Sequence, residues 1–314
     1  MNSRERLIAT LNRQPVDRLP VDLWHTPEVA RALRDHTGAD DDLAMYRALG
    51  LDKIVWVFMG YRGDDEAAVG AQVGAGAEAA NDSDPAGGGG VTARTMWGAP
   101  LRPIQSGAAH YDEFAGAPMA GYESPRDVEA YPYWPDPDRF DYDAAVAAAR
   151  RAARDFAVIG PWVSLFEIYC QLRGLEQAMM DLALQPDLVD AVLDRVEQIQ
   201  TEMMRRFFTA AGDALDLVFV SDDMGTQESL LMSTDMWRRH LEPRLRRWCA
   251  LIHDHGLKVF FHTDGAAEPL IAPMIDCGID VLNPIQHVCP GMDTASLKDK
   301  YGDRLIFHGG VDNQ

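Results

Sequence analysis

The sequence predicts an α/β protein of the (β/α)8-barrel type, a single domain over residues 1–314, and three observations carry that expectation. Short apolar runs alternate with amphipathic helical stretches, at a spacing that implies parallel strands joined by crossover helices. Seven such runs can be counted in a chain whose length suits one barrel better than an open doubly wound sheet. Most runs close on polar or charged residues, as barrel strands do at the rim where chemistry is placed.

The elements follow in order. "SRERLIATLN" sets Leu7, Ile8 and Leu11 at helical spacing behind Ser3, an expected N-cap. "LPVDLWHT" reads as a first strand. "PEVARALRDHTG" is a helix opened by Pro27 and closed by Gly38. "DKIVWVFMG" is a second strand. From about residue 64 to 91 the chain is rich in Gly, Ala, Asp and Asn with little to bury, and a flexible excursion is expected. Residues 91–120 could hold hairpins, and "YPYWPDPDRF" reads as a linker before the helix "DYDAAVAAARRAARD".

"FAVIGPWVSLFE" is a third strand. Helices follow in "GLEQAMMDLAL" and, after Pro186, in "DLVDAVLDRVEQIQTEMMRRFFTAAG". "LDLVFVSDDMGTQ" is the fourth strand. The helix "STDMWRRHLEPRLRRWCALIHDHG" is capped by Ser233 and kinked at Pro243. "KVFFHTDG" is the fifth strand, "DVLNPIQ" the sixth and "RLIFHGGVD" the seventh. A complete barrel needs one more βα unit, which has no counterpart before Gln314 unless residues 91–120 supply it.

Bulk properties narrow the function. Apolar residues make up 47% and charged residues 25%, a globular composition. The net charge of −20 disfavours nucleic acid and anionic membranes as partners. The four cysteines form no CxxC pair, and no apolar run approaches a membrane span or a signal peptide. A cytoplasmic enzyme for a small molecule is expected; the oligomeric state is open, a homodimer among the options.

The strand ends collect the candidate residues. They are Asp22, Trp24 and His25; Glu167; Asp222 and Asp223; His262 and Asp264; Asn283 and Gln286; His308 and Asp312. His262 is the strongest. Positions i and i+2 of an extended segment point to one side, so His262 and Asp264 can face one point and bind a divalent metal through nitrogen and oxygen. The blander alternative is that Asp264 orients His262 as a general acid or base. Asp223 could equally cap the next helix, and Glu167 could merely hold a loop. His240 reads as a surface residue, His253 and His255 as solvated helix-end residues, and Cys249 and Cys277 as core. Cys289, on a rim loop, is a lesser site candidate.

"FHTDG", "LIAPMIDCGIDVLNPIQ", "GMDTASLKDKYGDRLIFHGGVDNQ" and "SDDMGTQ" resemble the uroporphyrinogen decarboxylase-like superfamily, and the similarity extends back to "RERLIATLNRQPVDRLPVDLW". The resemblance implies a (β/α)8 barrel and offers two activities. The decarboxylase branch carries an arginine-rich "RQAGR"-type segment after the first strand, where this chain reads "LWHTPEVAR". The other branch moves methyl groups to or from a corrinoid protein, using zinc held by an HxC motif and a distant cysteine. His262 stands at that histidine and Asp264 at the first cysteine.

The second branch is the better match. It implies a metal-assisted methyltransferase or O-demethylase acting on a small, methoxylated substrate. Zinc or another divalent metal would sit on His262 and Asp264, and a corrinoid protein would be the partner. Glu167, Asp222 and His308 would serve catalysis. Asp223, Gln227, Asn283, Gln286 and His25 would hold substrate, and Trp24, Trp56 and Phe58 would form an apolar wall. The alternatives are a carboxy-lyase of tetrapyrrole metabolism and a barrel that binds a ligand without chemistry.

Overall fold

The computed structural model describes residues 1–62, 91, 93–106 and 109–311. Its strands are β1 (Ile54–Trp56), β2 (Ala93–Arg94), β3 (Pro100–Ser106), β4 (Ala109–Phe114), β5 (Ala157–Val163), β6 (Leu217–Ser221), β7 (Lys258–His262), β8 (Val281–Asn283) and β9 (Ile306–Phe307). Six of them make one parallel sheet in the order β1-β5-β6-β7-β8-β9. The sheet order therefore follows chain order, with helices between successive strands from β5 onward, as the alternation in the sequence requires. It is a curled parallel sheet, a half-barrel of the expected α/β class.

Two expectations change. β2, β3 and β4 form a separate antiparallel sheet, so the described residues of 91–120 supply no strand to the parallel one. The segment "LPVDLWHT" is extended but forms no regular strand. Pro20 lacks an N–H, and the Asp22 carboxylate, rather than a backbone carbonyl, faces the Ile54 N–H at 3.4 Å. The Val21 carbonyl accepts from the Asp52 N–H at 2.7 Å. On its other side Asp22 meets His308, just beyond β9, at 3.1 Å. One carboxylate thus links the two outer strands of the curled sheet.

The strands are short and apolar because both faces are covered; every residue of β5 and β6 is buried. Their N-terminal ends are closed by the helix Ser3–Leu11. Arg4 bonds Asp216 at 3.0 Å and the carbonyls of Ala153 and Asp213 at 3.1 and 2.9 Å. The N-cap of that helix is Asn2, in a capping box with Glu5, not Ser3. The C-terminal ends are left for the site.

Helix boundaries mostly follow the capping residues. Thr26 and Gly38 bound Pro27–Thr37, with Gly38 left-handed at φ 67°. Ser233 caps Thr234–His240. Pro243 produces a break rather than a kink, and a second helix, Glu242–Asp254, begins just before it. A helix that periodicity did not separate from the third run, Phe166–Arg173, starts directly after β5. His240 is fully buried, its Nδ1 2.8 Å from Asp190, and is no surface residue. The linker "YPYWPDPDRF" contributes buried Tyr131 and Phe140 to the core. The Gly/Ala-rich excursion, but for Val91, and Asp312 lie outside the described residues.

Candidate functional site

The C-terminal strand ends converge as the alternation implies. Glu167 follows β5, Asp222 and Asp223 follow β6, His262 closes β7, Asn283 closes β8 and His308 follows β9. Inward-facing residues on each strand obey the period of two. Trp56, Phe219 with Ser221, and Phe260 with His262 share the interior face, and their rings meet there.

Trp24 organises the aromatic floor. Its ring stacks 6.2 Å from His262 and 6.5 Å from Phe260, and stands edge-on to Trp56 at 5.4 Å. Trp56 contacts Phe219 at 4.3 Å and stacks on Phe58 at 5.5 Å. Trp24, Trp56 and Phe58, expected to form an apolar wall, do meet as one aromatic cluster, which Phe219 and Phe260 join. Those two phenylalanines could have been found from the alternation in "LVFVS" and "KVFFH".

Above this floor stand Asp223, His262 and Asp264, all partly exposed, whose ligand atoms lie within 4.8 Å of one another. His262 Nε2 faces Asp223 Oδ1 at 3.8 Å. That separation is too long for a hydrogen bond and leaves room for an ion between them. Asp223, expected to orient substrate, thus joins the metal candidates. Its carboxylate accepts the Asp264 N–H at 2.9 Å, which holds the two loops in register. Burial pushes the Asp264 carboxyl above its usual range, against the pull of His262.

The loops approach at two glycines. A Cβ on Gly265, at φ 82°, would lie 2.4 Å from the Thr226 carbonyl oxygen, and one on Gly225 2.7 Å from the Ala266 nitrogen. Only glycine permits this backbone contact, which carries the Ala266 N–H to Thr226 O bond at 2.8 Å. Gln286 Oε1 accepts from the Gly265 N–H at 2.7 Å, so it braces this loop. Cys289 is buried and directs its thiol to Gln227 Oε1 at 3.3 Å. Gln227, an exposed residue, is thus held against Cys289.

His262 Nδ1 lies 2.7 Å from Asn283 Oδ1, and Asn283 Nδ2 lies 2.8 Å from His308 Nδ1. Asn283 thus touches the cluster through His262, and His308 reaches it only by way of Asn283. His25 does not join them: its Nε2 is 2.8 Å from the Tyr46 hydroxyl and its Nδ1 is 3.3 Å from the Thr26 carbonyl.

Asp222 is buried and fully engaged. It accepts from Ser164 Oγ at 2.7 Å and from the Phe166 and Glu167 N–H groups at 2.6 and 3.0 Å. These are the free donors of the helix Phe166–Arg173, whose own N-cap residue, Leu165, has no side-chain acceptor. The expected catalytic role for Asp222 therefore becomes a helix-capping one supplied from the next strand. Burial still pushes its carboxyl up to about 6.

Glu167 lies in the first turn of that helix rather than at a strand end. Burial, then the neighbouring Asp222 charge, pushes its carboxyl up to about 8, while the Ser221 hydroxyl donating at 2.6 Å opposes the shift. Glu167 is thus protonated near neutrality, the state of a general acid.

The folded protein holds this proton more tightly than the unfolded chain, whose glutamate titrates at the ordinary 4.5. Stability is therefore lost as pH rises from about 4.5 through about 8. Glu167→Gln removes the titration. In metal-free protein it is expected to raise the melting temperature relative to wild type at alkaline pH, with no gain in mildly acidic solution. An equal effect at both pH values would contradict the shift.

A family model described as uroporphyrinogen decarboxylase (URO-D) matches residues 116–314. The chain belongs to this family. The match covers β5 to β9 and every site residue from Glu167 to His308, while the segment carrying Asp22, Trp24 and Trp56 lies before it. No curated protein matches the chain in sequence. Among solved structures, a methyltransferase from Methanosarcina mazei superposes with a TM-score of 0.53 over 90% of this chain and 76% of that one, at 18% identity. At that identity the likeness shows a common fold. No helix among the described residues is long and apolar enough to cross a membrane.

Proposed function

We propose that the chain is a metal-assisted methyltransferase of the URO-D family. It would take the methyl group of a small, neutral, methoxylated substrate and pass it to a corrinoid protein. The observation that carries this is the convergence of Asp223, His262 and Asp264 on one point above an aromatic floor. Three acceptor atoms of N, O and O type suit a divalent cation such as zinc. Two carboxylates and one imidazole balance a doubly charged ion, so the loaded site would be neutral and would favour an uncharged substrate.

The metal, when bound, would supply a Lewis acid that draws electron density from a substrate oxygen. The residues do the rest. Trp24, Trp56, Phe58 and Phe219 pack the organic part of the substrate and exclude water. Glu167 is positioned as the proton donor. As the carbon–oxygen bond breaks, its electron pair stays on oxygen, which takes the Glu167 proton, and the methyl group passes to the nucleophilic acceptor. The Glu167 carboxylate left behind is restored by solvent.

A carboxy-lyase acting on a polycarboxylate tetrapyrrole is the competing activity, and charge argues against it. Acid side chains need cationic partners. Lys53, joined to the site through Asp22, is already bound by that carboxylate at 2.9 Å. The stretch 63–90 contains no lysine or arginine at all. Purified protein is therefore expected to convert uroporphyrinogen no faster than the uncatalysed background. Robust carbon dioxide release would reverse the assignment. Elemental analysis of the purified protein tests the metal directly.

A further inference from the structure

Lys53 has no part in the chemistry above, yet its side chain is only 6% exposed and it lies at one end of a chain of polar contacts that reaches His262. Lys53 Nζ and Trp24 Nε1 donate to the Asp22 carboxylate, both at 2.9 Å. His308 Nε2 lies 3.1 Å from the same carboxylate. From there the path runs through Asn283 to His262.

The direction of each bond follows from what each group can do. Burial opposes ionisation of Asp22, but His308 and Lys53 hold its carboxyl down at about 2, so it can only accept. His308 Nε2 must then carry a hydrogen. In the neutral ring Nδ1 is left as an acceptor, and the Asn283 amide must turn its NH2 toward it. The backbone carbonyl of His308, 3.5 Å from Asn283 Nδ2, favours the same orientation. The Asn283 oxygen is thereby aimed at His262 Nδ1, which must donate.

We propose that Asp22, His308 and Asn283 form a one-way hydrogen-bond relay, anchored on Lys53, that fixes His262 as the tautomer protonated at Nδ1 with its Nε2 lone pair turned to Asp223 and Asp264. These four are positioning residues: they act on His262 and do not need to touch the substrate. The relay explains how buried Lys53 and Asp22, contributed by a part of the chain remote in sequence from β7, bear on the site. Its effect on metal affinity rests on the function proposed above; the tautomers themselves do not.

The test reads the imidazole nitrogens of metal-free protein by nitrogen-15 NMR, in solution alkaline enough to leave both rings neutral. His262 is expected to carry its proton on Nδ1 and His308 on Nε2. His308→Leu and Asn283→Leu should release His262 to a mixture of tautomers and weaken zinc binding roughly 10- to 100-fold. His308→Gln, whose amide can donate to Asp22 and accept from Asn283, should keep most of both properties. A wild-type His262 protonated on Nε2 overturns the proposal without any variant. So does a His262 that stays on Nδ1 with unchanged zinc affinity in both leucine variants. If the wild type shows the expected tautomers but binds no zinc, the relay stands and the metal function fails.

Discussion

Replacing His262 with alanine is expected to strip about one equivalent of divalent metal from the protein and to abolish methyl transfer. The imidazole is the only nitrogen donor in the cluster with Asp223 and Asp264. Two carboxylates on facing loops remain in the variant, but they compete poorly for zinc once the fixed nitrogen is gone. The fold should survive. His262 is at the end of β7, its side chain is 19% exposed, and its ring neighbours Trp24 and Phe219 keep their contacts with Trp56 and Phe260. Metal content, measured alongside the circular dichroism spectrum, separates loss of ligand from loss of fold. Chelation of the wild type should reproduce the variant. If instead Asp223 and Asp264 orient His262 as an acid or base, chelators change nothing and the purified protein holds no stoichiometric metal. A metal-free wild type that is fully active in chelator would end the metal assignment.

Asp222→Ala should cost the most stability of any single change in the site. The carboxylate accepts from Ser164 Oγ and from the consecutive Leu165 and Phe166 N–H groups, all buried, and from the part-buried Glu167 N–H at the start of the helix Phe166–Arg173. Alanine leaves those donors buried without acceptors, at about 1–3 kcal/mol for each one that water cannot reach. A loss of at least ~4 kcal/mol is expected from denaturant titration, enough to endanger a domain of ordinary stability. Asp222→Asn, which retains one acceptor oxygen, should lose less. A change below ~1 kcal/mol for Asp222→Ala would show that the helix start is held by other groups. The same substitution moves Glu167, whose N–H is one of the donors, so activity and stability should fall together.

These two residues mark how far the sequence carries. His262 was legible as the polar close of an apolar run, whereas Asp264, expected two places along the same strand, lies in the loop after β7 and is placed by its contact with Asp223. Asp222 and Asp223 are adjacent in a motif that reads as one acidic strand end. The structure separates them: one turns inward to cap a helix that begins 56 residues earlier, and the other faces His262. No local pattern encodes that choice, because the cap is between elements that are neighbours only in the sheet, β5 beside β6. Lys53 was illegible for a similar reason. A lysine at the start of an apolar run ordinarily reaches solvent, and here Asp22 from another segment holds it inside.

The sequence by itself determined the class of fold, the direction of the parallel strands and the end at which polar groups collect. Each follows from periodicity, capping residues and turn chemistry, which act over a few residues. Only the tertiary structure decided which polar groups meet. The curl of the sheet brings the ends of β6, β7 and β8 together. The glycine contact between the 225 and 265 loops sets Asp223 against Asp264. Asp22 spans from β1 to His308 beyond β9. Those outcomes depend on closing long loops of chain, where hydrogen-bond geometry and exclusion of water select among many pairings that the linear order leaves equal.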